Sequence, residues 1–213
     1  MAKKNYDDNS LKQLKGPDQV RLRPGVIFGS DGLDGCCHSV FEILSNSIDE
    51  AREGFGKKII VTRFLDKSIE VQDYGRGIPI DFNKNEEKYN WELAFCTLYA
   101  GGKYDNNSGI STQFAAEYME VESNNGTWIY DLRFEKGYNV EKEERGFRRH
   151  QSDGTTGTKI KWKPDLDVFT DIDVPFEYFD DVLRRQAVVN DGLTFVLRNE
   201  VRDEETGETH FEE

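Results

Sequence analysis

The sequence predicts an α+β fold, a two-layer sandwich whose mixed, mostly antiparallel sheet carries its helices on one face. Three observations predict it. The run from Cys36 to Glu53 has helical periodicity, with Val40, Leu44, Ile48 and Ala51 on one apolar stripe. Two β-rich runs, Lys58 to Phe64 and Ile69 to Asp73, flank Leu65-Asp66-Lys67-Ser68, which predicts a hairpin. Strand-like and helix-like segments are interspersed, and hairpins favour antiparallel pairing with helices kept to one side.

The elements follow in order. Residues 1–15 are polar with little periodicity and are expected to form an N-terminal arm, leaving 16–213 as one domain. A turn-rich stretch runs from Arg23-Pro24-Gly25 to Gly35. The Cys36 to Glu53 helix is closed by Gly54 and Gly56, and it sets Glu42, Asn46, Asp49 and Glu53 on a face away from the apolar stripe. Tyr89 to Tyr99 predicts a second helix, stopped by Gly101-Gly102, and Ile110 to Tyr118 a third. Thr127–Phe134, Tyr138–Glu144, Thr158–Trp162 and Leu193–Arg198 predict strands, the last after an Asp191-Gly192 turn. Pro175 to Asn190 predicts a helix with Asp173 as N-cap and Pro175 at an early position.

Composition narrows the function. At 213 residues the chain fits one domain, and 28 Lys+Arg against 41 Asp+Glu gives a net charge of −13. That excess argues against a DNA clamp in this stretch. Charged residues at 32% and a mean hydropathy of −0.74 describe a polar chain, yet aromatics at 12% argue for a packed core rather than disorder. No apolar run approaches the roughly 18–20 residues of a membrane helix, and no apolar stretch follows the opening lysines, so neither a span nor a secretory signal is expected. Cys36, Cys37 and Cys96 make no disulfide framework and fit cytosolic thiols.

Gly101-Gly102-Lys103-Tyr104 lacks the leading glycine and the hydroxyl of a P-loop, and His38, His150 and His210 are too scattered for a zinc site. Three weaker elements carry chemistry. Glu42 and Asn46 lie one turn apart on one helical face; a carboxylate can take a proton from water, and an amide oxygen suits a hard cation. The alternative is the solvent side of an amphipathic helix. Asp73-Tyr74-Gly75-Arg76-Gly77-Ile78-Pro79 ends a hairpin, where glycines admit a close ligand and the aspartate can accept from an exocyclic amine; the alternative is an ordinary turn. Thr155-Thr156-Gly157-Thr158 offers a hydroxyl at a strand start, with an ordinary strand start as the alternative.

In this order and separation, the elements resemble the N-terminal ATPase domain of type IIA topoisomerase B subunits, DNA gyrase or topoisomerase IV, in the GHKL superfamily with its Bergerat-type ATP-binding fold. The carrying segments are Val20-Arg-Leu-Arg-Pro-Gly25, Val40-Phe-Glu-Ile-Leu-Ser-Asn-Ser-Ile-Asp-Glu-Ala51, Val71-Gln-Asp-Tyr-Gly-Arg-Gly-Ile-Pro79, Leu98-Tyr-Ala-Gly-Gly-Lys103 and Thr156-Gly-Thr158. The resemblance implies ATP and Mg²⁺ as ligands, with Glu42 as general base and Asn46 on the metal. It places Asp73 on the adenine amine, helped by Thr158, with Gly75 and Gly77 in the adjoining loop. Arg76 and Pro79 would flank the adenine, with Arg76 paired to Glu50. Ile43, Val71, Ile78 and Ile160 become candidate walls; for Val71 and Ile160 sheet core is an equal alternative. Lys103 would reach the phosphates, or be a solvated lysine, and Tyr6 could reach a partner in a nucleotide-bound dimer. In the full enzyme the implied partners are DNA, a second copy of the B chain, and the DNA-cleaving A chain, in the cytoplasm and with no membrane.

The chain departs from the family pattern after Gly-Gly-Lys. The resemblance implies a glycine-rich ATP lid there, whereas Tyr104 to Phe114 is short and holds only Gly109. The expectation is a lid truncated by design near 104–113, with a naturally shortened paralogue as the alternative, and no transducer domain. A second arginine at the pocket mouth is open: Arg133 lies in the relevant strand, but the register puts Asp131 at the matching position. The fragment is therefore expected to bind adenine-site ligands and inhibitors, to hydrolyse ATP poorly and to be monomeric. Competing readings are another GHKL nucleotide-binding module (MutL, Hsp90 or histidine-kinase type) and a noncatalytic acidic interaction domain.

Overall fold

The structure is a computed structural model and describes residues 16–96 and 111–213. Two short helices, α1 (Asp18–Arg21) and α2 (Pro24–Phe28), lead into α3 (Leu33–Arg52). The hairpin β1 (Lys58–Arg63) and β2 (Ile69–Asp73) follows, then a small ribbon of β3 (Phe82–Asn83) and β4 (Lys88–Tyr89), and α4 (Asn90–Cys96). After a 3-10 turn over Ser111–Ala115 come β5 (Ala116–Asn125), β6 (Trp128–Glu135), β7 (Tyr138–Asn139), β8 (Arg148–Gln151) and β9 (Thr156–Pro164). The described chain ends with α5 (Phe176–Val189), β10 (Thr194–Arg202) and β11 (Thr209–Glu212).

The main sheet is nine-stranded, in the order β11-β10-β1-β2-β9-β5-β6-β7, with β8 also on β6. Among the described residues only the β1–β10 pairing of this sheet is parallel; the rest are antiparallel. Its two faces separate by the period of two that a strand imposes. One face carries the cross-strand row Leu197, Val61, Val71, Ile160, Val121 and Leu132, which packs under the helices. The other carries Glu70, Lys161, Glu120 and Arg133 side by side, opposite charges alternating from strand to strand. That pairing satisfies a solvated face without covering it. The α+β sandwich with helices on one side is as expected.

Helix α3 begins at Leu33 rather than Cys36. Ser30 Oγ accepts the Gly32 N–H at 3.0 Å, and a Cβ at Gly35 would lie 2.0 Å from the Ser30 carbonyl oxygen, so that glycine belongs to the helix because the preceding turn presses on it. Of the expected stripe, Val40, Leu44 and Ile48 are buried and Ala51 is half-buried. The hairpin forms as expected, with Asp66 accepting from the Ser68 backbone and hydroxyl in the turn.

Several expectations are corrected. Ile110 to Tyr118 is no helix: a 3-10 turn gives way at Ala116 to β5, which pairs on both edges with β6 and β9. Its Ala-Ala-Glu opening favours helix locally, and the two flanking strands override that preference. The expected Tyr138–Glu144 strand shortens to Tyr138–Asn139, and β8 and β11 were not anticipated. Asp173 does not cap α5. Pro175 takes the cap position, and the Asp173 carboxylate instead accepts from Arg63 at 2.8 Å and Lys67 at 2.6 Å. The end of the Tyr89 to Tyr99 helix, together with Tyr6, Lys103 and positions 104–110 of the expected lid truncation, lies outside the described residues.

Candidate functional site

Asp73 closes β2 on the helix-covered face, one row beyond Val71, and is buried. Its Oδ1 accepts the backbone N–H groups of Gly75 (2.9 Å) and Thr158 (3.1 Å), and its Oδ2 accepts the hydroxyl of Ser47 on α3 (2.8 Å). These three donors favour the carboxylate, but burial outweighs them and, with the charge of Glu50, pushes the Asp73 pKa above its ordinary value. The structure thus keeps an acceptor in a dry place at the meeting of helix, hairpin and β9.

Backbone from other elements holds the loop after Asp73. Gly77 has φ +83, and a Cβ there would lie 2.5 Å from the Asn124 carbonyl oxygen of β5. Ser123, also on β5, donates its hydroxyl to the Ile78 carbonyl at 2.7 Å. Gly157 has φ +149, and a Cβ would lie 2.3 Å from the Asp73 carbonyl oxygen. At Gly75 a Cβ would strike Glu50 Cγ at 2.4 Å. The glycines are therefore required first by protein packing, a reason additional to the ligand approach expected from sequence.

Arg76 is held from α3. Its Nε and Nη2 donate to the two oxygens of Glu50, each at 2.8 Å, its backbone N–H donates to Glu50 Oε1 at 2.9 Å, and Nη2 also reaches Glu53 at 2.5 Å. The Phe55 ring lies under the guanidinium, 3.7 Å from centroid to carbon. The Arg76 bond holds the Glu50 carboxyl below its usual range. The expected Arg76–Glu50 pair is present, and Glu53 and Phe55 add to it.

On the same helix Glu42 is half-buried, with its Oε2 accepting the Thr112 hydroxyl at 3.0 Å and its Oε1 lying 3.6 Å from His38 Nε2 one turn earlier. Asn46 donates through Nδ2 to the Glu42 carbonyl at 2.7 Å, which points its chemistry as a ligand to Oδ1. Thr158 is buried and reaches Asp73 through its backbone N–H. Ile43, Val71 and Ile160 are 3%, 2% and 3% exposed and form core beneath Asp73, whereas Ile78 is half-buried and Pro79 exposed beside it. Arg133 pairs with Glu120 and Glu135, and Asp131 lies 3.4 Å from His150; cross-strand registry puts Arg133 on the charged face.

The sequence predicts no site role for Ser47, His38, Thr112 or Phe55, and it places Glu53 on the Glu42–Asn46 face without a partner assigned to it. Ser47 had a signal: a hydroxyl in register with the buried stripe of α3 must find a partner inside. His38 also had one, since it stands four residues before Glu42. Thr112 had none, because its place depends on where the 3-10 turn packs.

Fold and site together define a class of protein, an α+β sandwich consistent with the GHKL ATPase fold, in which an acid-bearing helix lies over a buried aspartate at a strand end. No family model matches the chain. It is 36% identical over 212 residues to the B chain of Treponema denticola DNA gyrase, a match that covers 94% of this chain and 33% of that protein. It is 34% identical over 210 residues to the B chain of Thermotoga maritima DNA gyrase (93% and 32%), and 32% identical over 219 residues to the B chain of Francisella tularensis DNA topoisomerase 4 (98% and 34%). The chain is a homologue of the B subunits of the type IIA topoisomerases DNA gyrase and topoisomerase IV. It spans about a third of the length of these curated relatives.

Proposed function

We propose that residues 16–213 form a GHKL ATP-binding domain from the B chain of a type II topoisomerase, in which α3 and the Asp73–Pro79 loop bind and hydrolyse ATP. The observation that carries the reading is Asp73: a buried carboxylate fixed by Ser47, Gly75 and Thr158, suited to an exocyclic amine. Arg76 and Pro79 would flank the base at the exposed rim, while Ile43, Val71, Ile78 and Ile160 would supply the apolar floor and wall. Lys103 would approach the phosphates.

The residues present also fit Mg²⁺. With Nδ2 of Asn46 committed to the helix backbone, its Oδ1 offers a hard neutral oxygen beside the Glu42 carboxylate. Bound there, the ion would neutralise phosphate charge during transfer to water. Glu42 would accept the proton of the attacking water as the terminal phosphoanhydride bond breaks, with His38 and Thr112 beside its two oxygens. In the intact enzyme this domain would act with DNA, the DNA-cleaving A chain and a second copy of the B chain in the cytoplasm, and in this chain alone turnover would be slow.

Titration calorimetry with a nonhydrolysable ATP analogue or an adenine-competitive inhibitor tests the reading. The chain should bind, and Asp73→Asn should weaken binding at least tenfold, since a hydrogen bond to a charged group is worth about 1.5–3 kcal/mol. No binding at high micromolar ligand would overturn it. Binding unchanged by Asp73→Asn would support a noncatalytic acidic domain.

A further inference from the structure

The second oxygen of Glu42 is held by a residue outside the helix. Thr112 is 0% exposed, and its hydroxyl has one proton and two acceptors within reach: Glu42 Oε2 at 3.0 Å and the Ser39 carbonyl at 3.2 Å. The nearer acceptor is a carboxylate, and charge-assisted bonds are the stronger. The backbone that delivers this hydroxyl is fixed on several sides. Thr112 O accepts the Trp162 indole N–H at 3.2 Å, Gln113 Nε2 donates to the Phe95 carbonyl at 2.7 Å, and Phe114 O accepts from Arg21 at 3.2 Å. A threonine on so constrained a turn has little freedom to follow the carboxylate, so the carboxylate follows the threonine.

We infer that Thr112 is a positioning residue for Glu42: its hydroxyl pins Oε2 and so helps set the direction of Oε1, which lies 3.6 Å from His38 Nε2. The inference rests on the reading of Glu42 as the base. Thr112, being fully buried, touches neither substrate nor water itself. A glutamate on a helix surface otherwise samples several rotamers, and a general base contributes only when its oxygen lies within hydrogen-bond reach of the proton it takes.

The test uses the whole chain. Thr112→Val keeps the side-chain shape and removes the hydroxyl; Thr112→Ser restores it. ATP hydrolysis is followed at high protein concentration with labelled nucleotide, alongside Glu42→Gln. Thr112→Val should lower kcat about tenfold or more with KM within about twofold, and Thr112→Ser should return most of kcat. Loss of kcat in Glu42→Gln with wild-type kcat in Thr112→Val overturns the positioning role alone. Wild-type kcat in Glu42→Gln overturns the base assignment beneath it. A second measurement needs no turnover: in a crystal structure of Thr112→Val the Glu42 carboxylate should leave its wild-type position while Asn46 and Asp73 keep theirs. An unmoved carboxylate overturns the inference, whatever the rate.

Discussion

At the scale of single residues, Asp73 is the group on which burial and hydrogen bonding pull in opposite directions, and burial prevails. The sign of the pH dependence follows. Because the folded pKa lies above the ordinary 3.8, the folded chain binds its proton more readily than the unfolded chain. From Asp73 alone, stability of the free chain rises as pH falls through the raised pKa toward 3.8. A ligand amine needs the ionised acceptor, so affinity is lost over that same interval. Calorimetry from pH 7.5 downward should show adenine-side binding weakening at a higher pH than an ordinary aspartate titrates. Asp73→Asn should remove that dependence along with most of the affinity. Glu50, whose charge adds to that rise, moves the other way because Arg76 holds its charged form. An affinity that stays flat until an ordinary aspartate titrates would contradict the account.

At the scale of elements, the site is held by parts distant in sequence, and the clearest tie is Arg21 at the end of α1. It bonds Asp165 at 2.6 Å and the carbonyls of Phe114 and Ala116 at 3.2 and 3.4 Å, with its side chain 14% exposed and that of Asp165 6%. Removing one partner of a buried pair costs about 3–5 kcal/mol, because the other charge stays buried. Arg21→Ala should therefore lower unfolding free energy by about that much in urea denaturation, and a loss below about 1 kcal/mol would show the pair to be dispensable. The junction it clamps, where the 3-10 turn enters β5, is also where sequence reading failed. Ala115-Ala116-Glu117 favours helix on local propensity, and only pairing to β6 and β9 makes it a strand. The positions of Asp73, Glu42 and Asn46 were legible because they depend on a hairpin end and a helical face, both local patterns. The packing reasons for Gly77 and Gly157, and the partner of Glu42 in Thr112, were not, since each depends on an atom from another element.

At the scale of the whole molecule, charge and extent bear on how the domain behaves alone. The chain carries −13, so two copies brought face to face repel at low salt unless specific contacts compensate. Its sheet face opposite the helices pairs its own charges across strands and presents no apolar surface row for a second copy among the described residues. The resemblance adds a short segment after Gly101-Gly102-Lys103 where a phosphate-wrapping lid is expected. If Asp73 and Arg76 take the base as proposed, its recognition would be independent of that segment, whereas water positioning at the phosphates would not be. Binding and turnover should therefore separate: ligand affinity is retained, while kcat falls well below the roughly 1 s⁻¹ at which ordinary enzymes begin. Light scattering with and without nucleotide should report a single-chain mass, and the slow turnover should vanish in Glu42→Ala. A nucleotide-induced dimer hydrolysing ATP at ordinary enzyme rates would mean that this chain alone completes its catalytic site.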